Sequence, residues 1–360
     1  MTLRGTDPET VREALEAEDS LPGTAGFAGV LDGRLVRDSL GRVPLFVERD
    51  GDDWDFAPGP LEDAVLFPAG SVGAPGTEPR QVWPLPEPTP EPDHETALAG
   101  LDRAIRTATE RVRRADRDLA VAFSGGVDSA LLAEALDAPI YAVGFPDSHD
   151  LAAARTAADA MGRELRVLEL EPADLERAVP EVARAIGRTN AMDVQIALPL
   201  YLVGERVATD GFDALAVGQG ADELFGGYEK VVRLDHRVEA ETTRGAVREQ
   251  IRSLPEQLPR DVRAIEATGL ESVAPLLHDD VVDAALRLPD ELLADEDVRK
   301  RGFRRVAADS LPEEVATRDK KAVQYGSLVA RELDRLARQA GYKRRMDDHV
   351  TKYVESLLEN

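Results

Sequence analysis

The sequence predicts an α/β fold: a doubly wound, mainly parallel sheet with a helical C-terminal part and a small β-rich N-terminal segment. Two observations carry the parallel sheet. Two glycine-rich loops, at residues 124–126 and 218–227, each follow directly on a short apolar run, residues 119–123 and 214–217. The first loop also precedes an apolar, helix-like stretch at 131–136. Strand, turn and helix in that order put ligand loops at the carboxyl edge of a parallel sheet. The third observation sets the N-terminal segment apart. Residues 26–72 read as short strands separated by turns, at 27–31, 34–37, 45–48 and 54–57.

Taken in order, residues 1–73 form the β-rich segment and 74–95 a proline-rich linker or strap. Prolines recur at 75, 79, 84, 86, 88, 90 and 92. Such a run cannot form a helix and favours an extended polyproline conformation. Residues 96–360 form the main domain. Beyond the first strand, 141–145 and 165–170 read as further strands, with an Ala-rich helix at 151–161 between them. Residues 183–210 read as mostly helical, and 239–262 and 328–360 as helical by their apolar spacing.

The first loop, Ser124-Gly125-Gly126-Val127-Asp128-Ser129, has the chemistry of an oxyanion nest. Small residues let backbone N–H groups close around a phosphate, and a helix N-terminus adds a favourable dipole. Ser124 and Ser129 can donate hydroxyl hydrogen bonds, and Asp128 can hold the magnesium that accompanies a nucleoside triphosphate. No Gly-Lys dipeptide occurs in the chain, which separates this loop from the Walker type. The second loop is Gly218-Gln219-Gly220-Ala221-Asp222-Glu223-Leu224-Phe225-Gly226-Gly227-Tyr228. Its four glycines and two adjacent carboxylates make poor core and a good ligand loop.

SGGVDS resembles the signature of the PP-loop ATP pyrophosphatases, which split ATP into AMP and pyrophosphate. GQGADELFGGY resembles the matching loop of the asparagine synthetases and their relatives. The resemblance implies ATP and Mg2+ as cofactors, the metal shared by Asp128 and Asp222. It implies nucleotide and pyrophosphate contacts from Ser124, Gly125, Gly126, Asp128, Ser129, Val143, Gly144, Asp150 and Gly218. Arg318 and Lys320, in the run Arg318-Asp319-Lys320-Lys321, match the cations that neutralise departing pyrophosphate. Lys320 aligns with the lysine that stabilises developing charge, so the catalytic set is Lys320, Asp128 and Asp222. Gln219, Glu223, Gln195 and Tyr228 are the acceptor-pocket candidates. For Val143 the core reading is as good as ligand contact.

Composition narrows the function. The chain has 360 residues and no cysteine, which excludes disulfides, thiolate metal sites and thiol catalysis. Five histidines show no metal-ligand spacing. No stretch approaches a membrane span, and the N-terminus lacks a basic region followed by an apolar run, so a cytoplasmic location is expected. The net charge of −25 argues against a nucleic-acid partner. Acid excess, with six lysines against 38 arginines, points to a halophilic archaeal source. At molar salt the Debye length falls to ~3 Å and relieves self-repulsion.

The segment Leu35-Val36-Arg37-Asp38-Ser39-Leu40-Gly41-Arg42-Val43-Pro44-Leu45-Phe46 resembles the latter part of an asparagine-synthetase glutaminase domain. That domain uses an N-terminal cysteine. Here position 2 is Thr2, and the residues after it do not match, so a degenerate remnant without hydrolytic activity is expected. The resemblance as a whole implies an ATP-dependent amide ligase. A carboxylate, aspartate first, would be activated as an acyl-adenylate and aminated by ammonia, another amine, or ammonia from a separate glutaminase subunit. Homodimers are frequent in the family.

Three departures bear on the acceptor. Gln219 stands where an acid often occurs, Ser272-Val273-Ala274-Pro275-Leu276-Leu277-His278 lacks the family's arginine and aspartate, and Gln195 falls where an arginine can stand. Arg188 or another arginine must substitute if the acceptor is a dianion. Two other readings stay open: a PP-loop RNA-modifying enzyme, and a catalytically silent nucleotide-binding subunit of an amidotransferase complex.

Overall fold

A computed structural model of the chain describes residues 3–233, 238–295, 297–318 and 327–358. Thirteen strands occur among them. The N-terminal segment contributes β1 (Leu3–Arg4), β2 (Ala28–Leu31), β3 (Arg34–Arg37), β4 (Phe46–Glu48), β5 (Trp54–Asp55), β6 (Ala64–Leu66), β7 (Ser71–Gly73) and β8 (Arg80–Gln81). The main domain contributes β9 (Leu119–Ala122), β10 (Ile140–Gly144), β11 (Leu165–Glu169), β12 (Ala214–Ala216) and β13 (Glu271–Val273).

The main sheet runs β11-β10-β9-β12-β13, and every pairing in it is parallel. Strand order reverses between β9 and β12, so both glycine-rich loops open at the same switch point. Strands buried on both faces need continuous small or apolar residues, which Leu119-Ala120-Val121-Ala122 and Ala214-Leu215-Ala216 supply. The edge strand β13 pairs with β12 over three residues. It was not expected from the sequence, because Val273 is its one apolar residue and no alternation marks it.

Helix Val127–Leu136 follows β9 and is buried nearly all round, with Ala130, Leu132 and Ala133 sealed in the main core. It starts inside the SGGVDS motif, earlier than the apolar spacing alone indicated. Residues 183–210 resolve into the end of helix Pro172–Ile186 and helix Ala191–Thr209, separated at Gly187, whose φ of 66° ends the first. Helix Thr243–Glu266 crosses back towards β13 and carries Pro255 and Pro259 in its interior. Helices Val329–Gln339 and His349–Leu358 complete the chain's described end, where Arg344 pairs with Asp334 at 2.7 Å. No helix of the described residues is long and apolar enough to cross a membrane.

The N-terminal strands form two antiparallel sheets, β1-β2-β3-β7-β8 and β5-β4-β6. Their small core holds Phe27 edge-on to Trp83, whose indole N–H donates to the Ala14 carbonyl. The glutaminase-like motif at 35–46 is the seam between this module and the main domain. Arg42 donates to Asp38 at 2.8 Å and lies 2.7 Å from Asp279, with all three side chains buried. Asp279 in turn accepts from the Thr24 backbone N–H and hydroxyl. Arg37 donates to the carbonyls of Gly41, Val43 and Phe67, and across the seam to that of Pro255 at 3.2 Å. Burial pushes this guanidinium down to about 10. The proline-rich segment contacts the main sheet's side of the chain through its carbonyls. Arg248 and Arg244, on the long helix, donate to the carbonyls of Pro86 and Pro88, which a proline run leaves without intrasegment partners.

His278 caps helix Asp279–Leu286, its Nδ1 accepting from the Asp280 N–H at 3.2 Å. Its pKa is held below the ordinary 6.5, by burial first and by Arg111 and Arg42, against Asp280 and Asp279. The sign follows from proton counts. Below about pH 6.5 the unfolded chain takes up a proton that the folded ring refuses, so stability falls as pH falls through that range. His278→Asn, which can still cap, is expected to flatten that slope. Urea midpoints at about pH 5.5 and 7.5 would read it, and an unchanged slope would assign the dependence elsewhere.

Candidate functional site

The first loop is preorganised by its own serines. Ser129 Oγ accepts from the Ser124 N–H at 3.2 Å and donates to the Gly126 carbonyl at 3.1 Å. Helix Val127–Leu136 begins at Gly126 with no side-chain cap, so its first-turn N–H groups remain available to an anion. Gly125 has φ +72°, and a Cβ there would lie 2.5 Å from the Ala153 carbonyl oxygen. Gly125→Ala is therefore expected to destabilise the chain by more than the ~1–2 kcal/mol that left-handed backbone costs an L-residue. Urea denaturation checks this, and an unchanged midpoint would show that the loop can relax.

Asp128 on the first loop and Asp222 on the second meet around one cation, Lys300. Its Nζ lies 2.7 and 2.8 Å from the two Asp128 carboxylate oxygens and 2.6 Å from an Asp222 oxygen. Lys300 immediately precedes helix Arg301–Ala308 in left-handed backbone, φ 57°, and is buried. Burial alone would depress the ammonium's pKa, but Asp128 and Asp222 outweigh it and hold the pKa above its ordinary value. Gly227 makes room for this cluster: a Cβ there would fall 2.0 Å from an Asp222 oxygen and 2.6 Å from the Lys300 Cε.

A cavity of about 510 Å3 opens over this cluster. Its apolar lining includes Phe123, Tyr141, Val143, Pro199, Leu200 and Val203, and the buried Asp150 also lines it. The floor holds Ser124, Asp128, Ser129, Gly218, Asp222 and Lys300, and three arginines, Arg299, Arg304 and Arg318, also line the wall. Arg304 donates to the carbonyls of Ala316 and Arg318, and Arg318 donates to that of Ala153. These backbone bonds help to fix the guanidinium positions.

The remaining side holds Gln219, Glu223, Tyr228, Leu258, Arg260 and Asp261. Tyr228 donates to Glu223 at 2.5 Å. Burial, then the neighbouring Asp222, pushes the Glu223 carboxyl up, and burial with Glu223 pushes the Tyr228 phenol up. Both amide heteroatoms of Gln219 are buried and lack a hydrogen-bond partner among the described residues. Arg260 is braced by Asp261 at 2.6 Å and by Asp193 at 3.0 Å.

Of the sequence-derived candidates, Ser124, Asp128, Ser129, Val143, Asp150, Gly218, Gln219, Asp222, Glu223, Tyr228 and Arg318 all line the one cavity. Gly125, Gly126 and Gly144 shape its loops without lining it. Gln195 is outside the lining, where its helix turns Ile196 inward instead. Lys320, with Asp319 to Gly326 around it, lies outside the described residues, as does Thr2. Arg188, the cation considered for the acceptor, is tied to Asp193 and to the Glu256 carbonyl, away from the cavity. Arg260 is the arginine that lines that side.

Lys300, Arg260, Arg299 and Arg304 were missed by sequence reasoning. Lysine scarcity was a usable signal: Lys300 is one of only six, embedded in an arginine-rich run. The carboxylates fit a magnesium ion. A hard cation takes one or two carboxylates and completes its shell with phosphate oxygens and water. No cluster of three or more acids, histidines or cysteines able to hold a metal occurs among the described residues.

Comparison with known proteins points one way. The chain is 31% identical over 305 residues to a Methanocaldococcus jannaschii protein provisionally named asparagine synthetase 1 (glutamine-hydrolyzing), covering 74% of this chain and 56% of that protein. It is 24% identical over 343 residues to asparagine synthetase B (glutamine-hydrolyzing) of Escherichia coli, covering 86% and 62% respectively. The chain thus spans little more than half the length of these relatives. Among solved structures, NMN synthetase from Francisella tularensis aligns at 13% identity over 75% of this chain and 94% of that one, with a TM-score of 0.34, too low to carry an argument. The sequence model of the asparagine synthase family matches residues 100–254 and 234–358, and the chain belongs to that family.

Proposed function

We propose that the chain is an ATP-dependent amide ligase that activates a carboxylate. The observation that carries this reading is the convergence of Asp128 and Asp222 from two loops beside an uncapped helix N-terminus. The substrate carboxylate attacks the α-phosphorus of ATP, the bond to the bridging oxygen breaks, and pyrophosphate leaves. An amine then attacks the acyl carbon, and AMP departs as the amide forms. First-turn N–H groups of helix Val127–Leu136, the Ser124 and Ser129 hydroxyls, and Lys300, Arg304 and Arg318 hold the polyphosphate. They meet charge that grows on its oxygens in the transition state. A magnesium ion between Asp128 and Asp222 would bridge and neutralise phosphate oxygens. Lys320 joins this set by resemblance.

Aspartate is the first acceptor to test. The relatives' names support it, and Arg260 offers a cation on the acceptor side. Because Asp193 and Asp261 already brace Arg260, monocarboxylates belong on the same panel. The nitrogen would come from ammonia, another amine, or a separate glutaminase subunit. We take residues 1–73 as a glutaminase-like remnant that packs and hydrolyses nothing, residues 74–95 as the strap, and 96–360 as the ligase domain. A cytoplasmic, salt-adapted enzyme, assembled as a homodimer, completes the reading.

The test is pyrophosphate release in molar KCl with Mg-ATP, ammonium and each carboxylate. Release with aspartate, accompanied by asparagine, supports a synthetase. Release with another acid keeps the chemistry and changes the acceptor. Dependence on added RNA would favour an RNA-modifying enzyme, and silence across the panel a binding subunit.

A further inference from the structure

Lys300 occupies the space in which a bridging metal would sit. Its ammonium lies within 2.8 Å of three oxygens from Asp128 and Asp222; Lys300 and Asp128 are buried, and Asp222 is partly exposed to the cavity. A magnesium ion uses carboxylate oxygens at about 2.0–2.1 Å and tolerates little distortion. Bound to both carboxylates with Lys300 in place, it would lie close to the ammonium, and like charges at such range repel. The two cations therefore compete for the same carboxylates, and a metal bridging them favours withdrawal of the ammonium.

The surroundings supply the means. Lys300 is carried on a flexible four-carbon stem, whereas Arg299 and Arg304 on either side are pinned to backbone carbonyls of Gly227, Ala316 and Arg318. The lysine stem can exchange a carboxylate partner for a phosphate on the adjacent first loop. A triphosphate brings negative charge that favours both the metal and the displaced ammonium.

Resting on the reading that Asp128 and Asp222 hold the metal, we propose that Lys300 is a positioning residue. It keeps the paired carboxylates closed to free divalent cations and yields them when a nucleoside triphosphate arrives. Metal and nucleotide then enter together, and without nucleotide the paired carboxylates keep an internal counter-ion.

The probe is Mn2+ alone, followed through loss of its free electron-paramagnetic-resonance signal, with the whole chain in molar KCl. The native chain is expected to bind no stoichiometric Mn2+ without nucleotide. Lys300→Gln should gain one Mn2+ per chain, at least tenfold tighter, and Asp128→Asn in that background should remove it. Lys300→Arg, which keeps the charge, should stay closed. If Lys300→Gln does not fold alone, the same gain is read as Mn2+-dependent refolding by circular dichroism. Stoichiometric Mn2+ binding by the native chain, or no gain in either form of the Lys300→Gln experiment, overturns the proposal. Native chain with Mn2+ and a non-hydrolysable ATP analogue separates the two readings. Loss of that ternary complex in Asp128→Asn upholds the metal site even where the Lys300 result fails.

Discussion

Asp128→Asn is expected to lower magnesium-dependent pyrophosphate release by at least about a hundredfold, the loss that several kcal/mol of transition-state charge stabilisation implies. The substitution keeps the shape of the side chain and removes its charge, and Lys300 retains Asp222 as a partner at 2.6 Å. Asp222→Asn should cost a similar factor. The double variant should be little worse than either single one, because groups that hold one ion act as a unit. Initial rates at saturating substrate, with a thermal melt to confirm folding, check the series. Release within twofold of native in a folded Asp128→Asn chain would remove this pair from the chemistry.

Asp279→Ala is expected to destabilise the chain by about 3–5 kcal/mol, the usual consequence of stripping one partner from a buried ion pair. Arg42 would keep Asp38 but lose its main-domain carboxylate, and the Thr24 N–H and hydroxyl would lose their acceptor. Since Thr24, Asp38 and Arg42 belong to the N-terminal module, the loss should appear first as its loosening. Limited proteolysis should cut near the proline strap before the main domain unfolds. A double-mutant cycle with Arg42→Ala should show strong coupling, as expected within one polar network. Additive losses would mean that the seam is held by its apolar contacts instead.

How much of this was legible in the sequence depended on range. The parallel sheet and both loops were readable, because glycine spacing and apolar runs are local. Asp128 and Asp222 could be paired because each sits in a loop with its own signature. Lys300 has no such signature. Its role arises from a left-handed turn and from partners on two distant loops, neither of which leaves a local pattern. Arg260 was overlooked because nothing local sets it apart from the other arginines and its partner Asp193 is 67 residues away in sequence, whereas Arg188 stood nearer the expected segment. The motif at 35–46 resembled part of a glutaminase. Its buried role emerges only with Asp279, which is remote in sequence and carries no mark of a partner. Burial, and not residue type, decided each of these cases.

The two prolines inside helix Thr243–Glu266 have a consequence for how the N-terminal segment is held. In a regular helix the carbonyl of Pro255 would be claimed by the N–H four residues on, but that residue is Pro259, which has none. The vacated carbonyl is the one to which Arg37 donates across the seam. The recognition is thus written into a missing hydrogen atom, so the side chains around it can drift while the fit survives. Any other residue at position 259 would restore an internal N–H that competes with Arg37 for this carbonyl and would weaken this one contact of the seam.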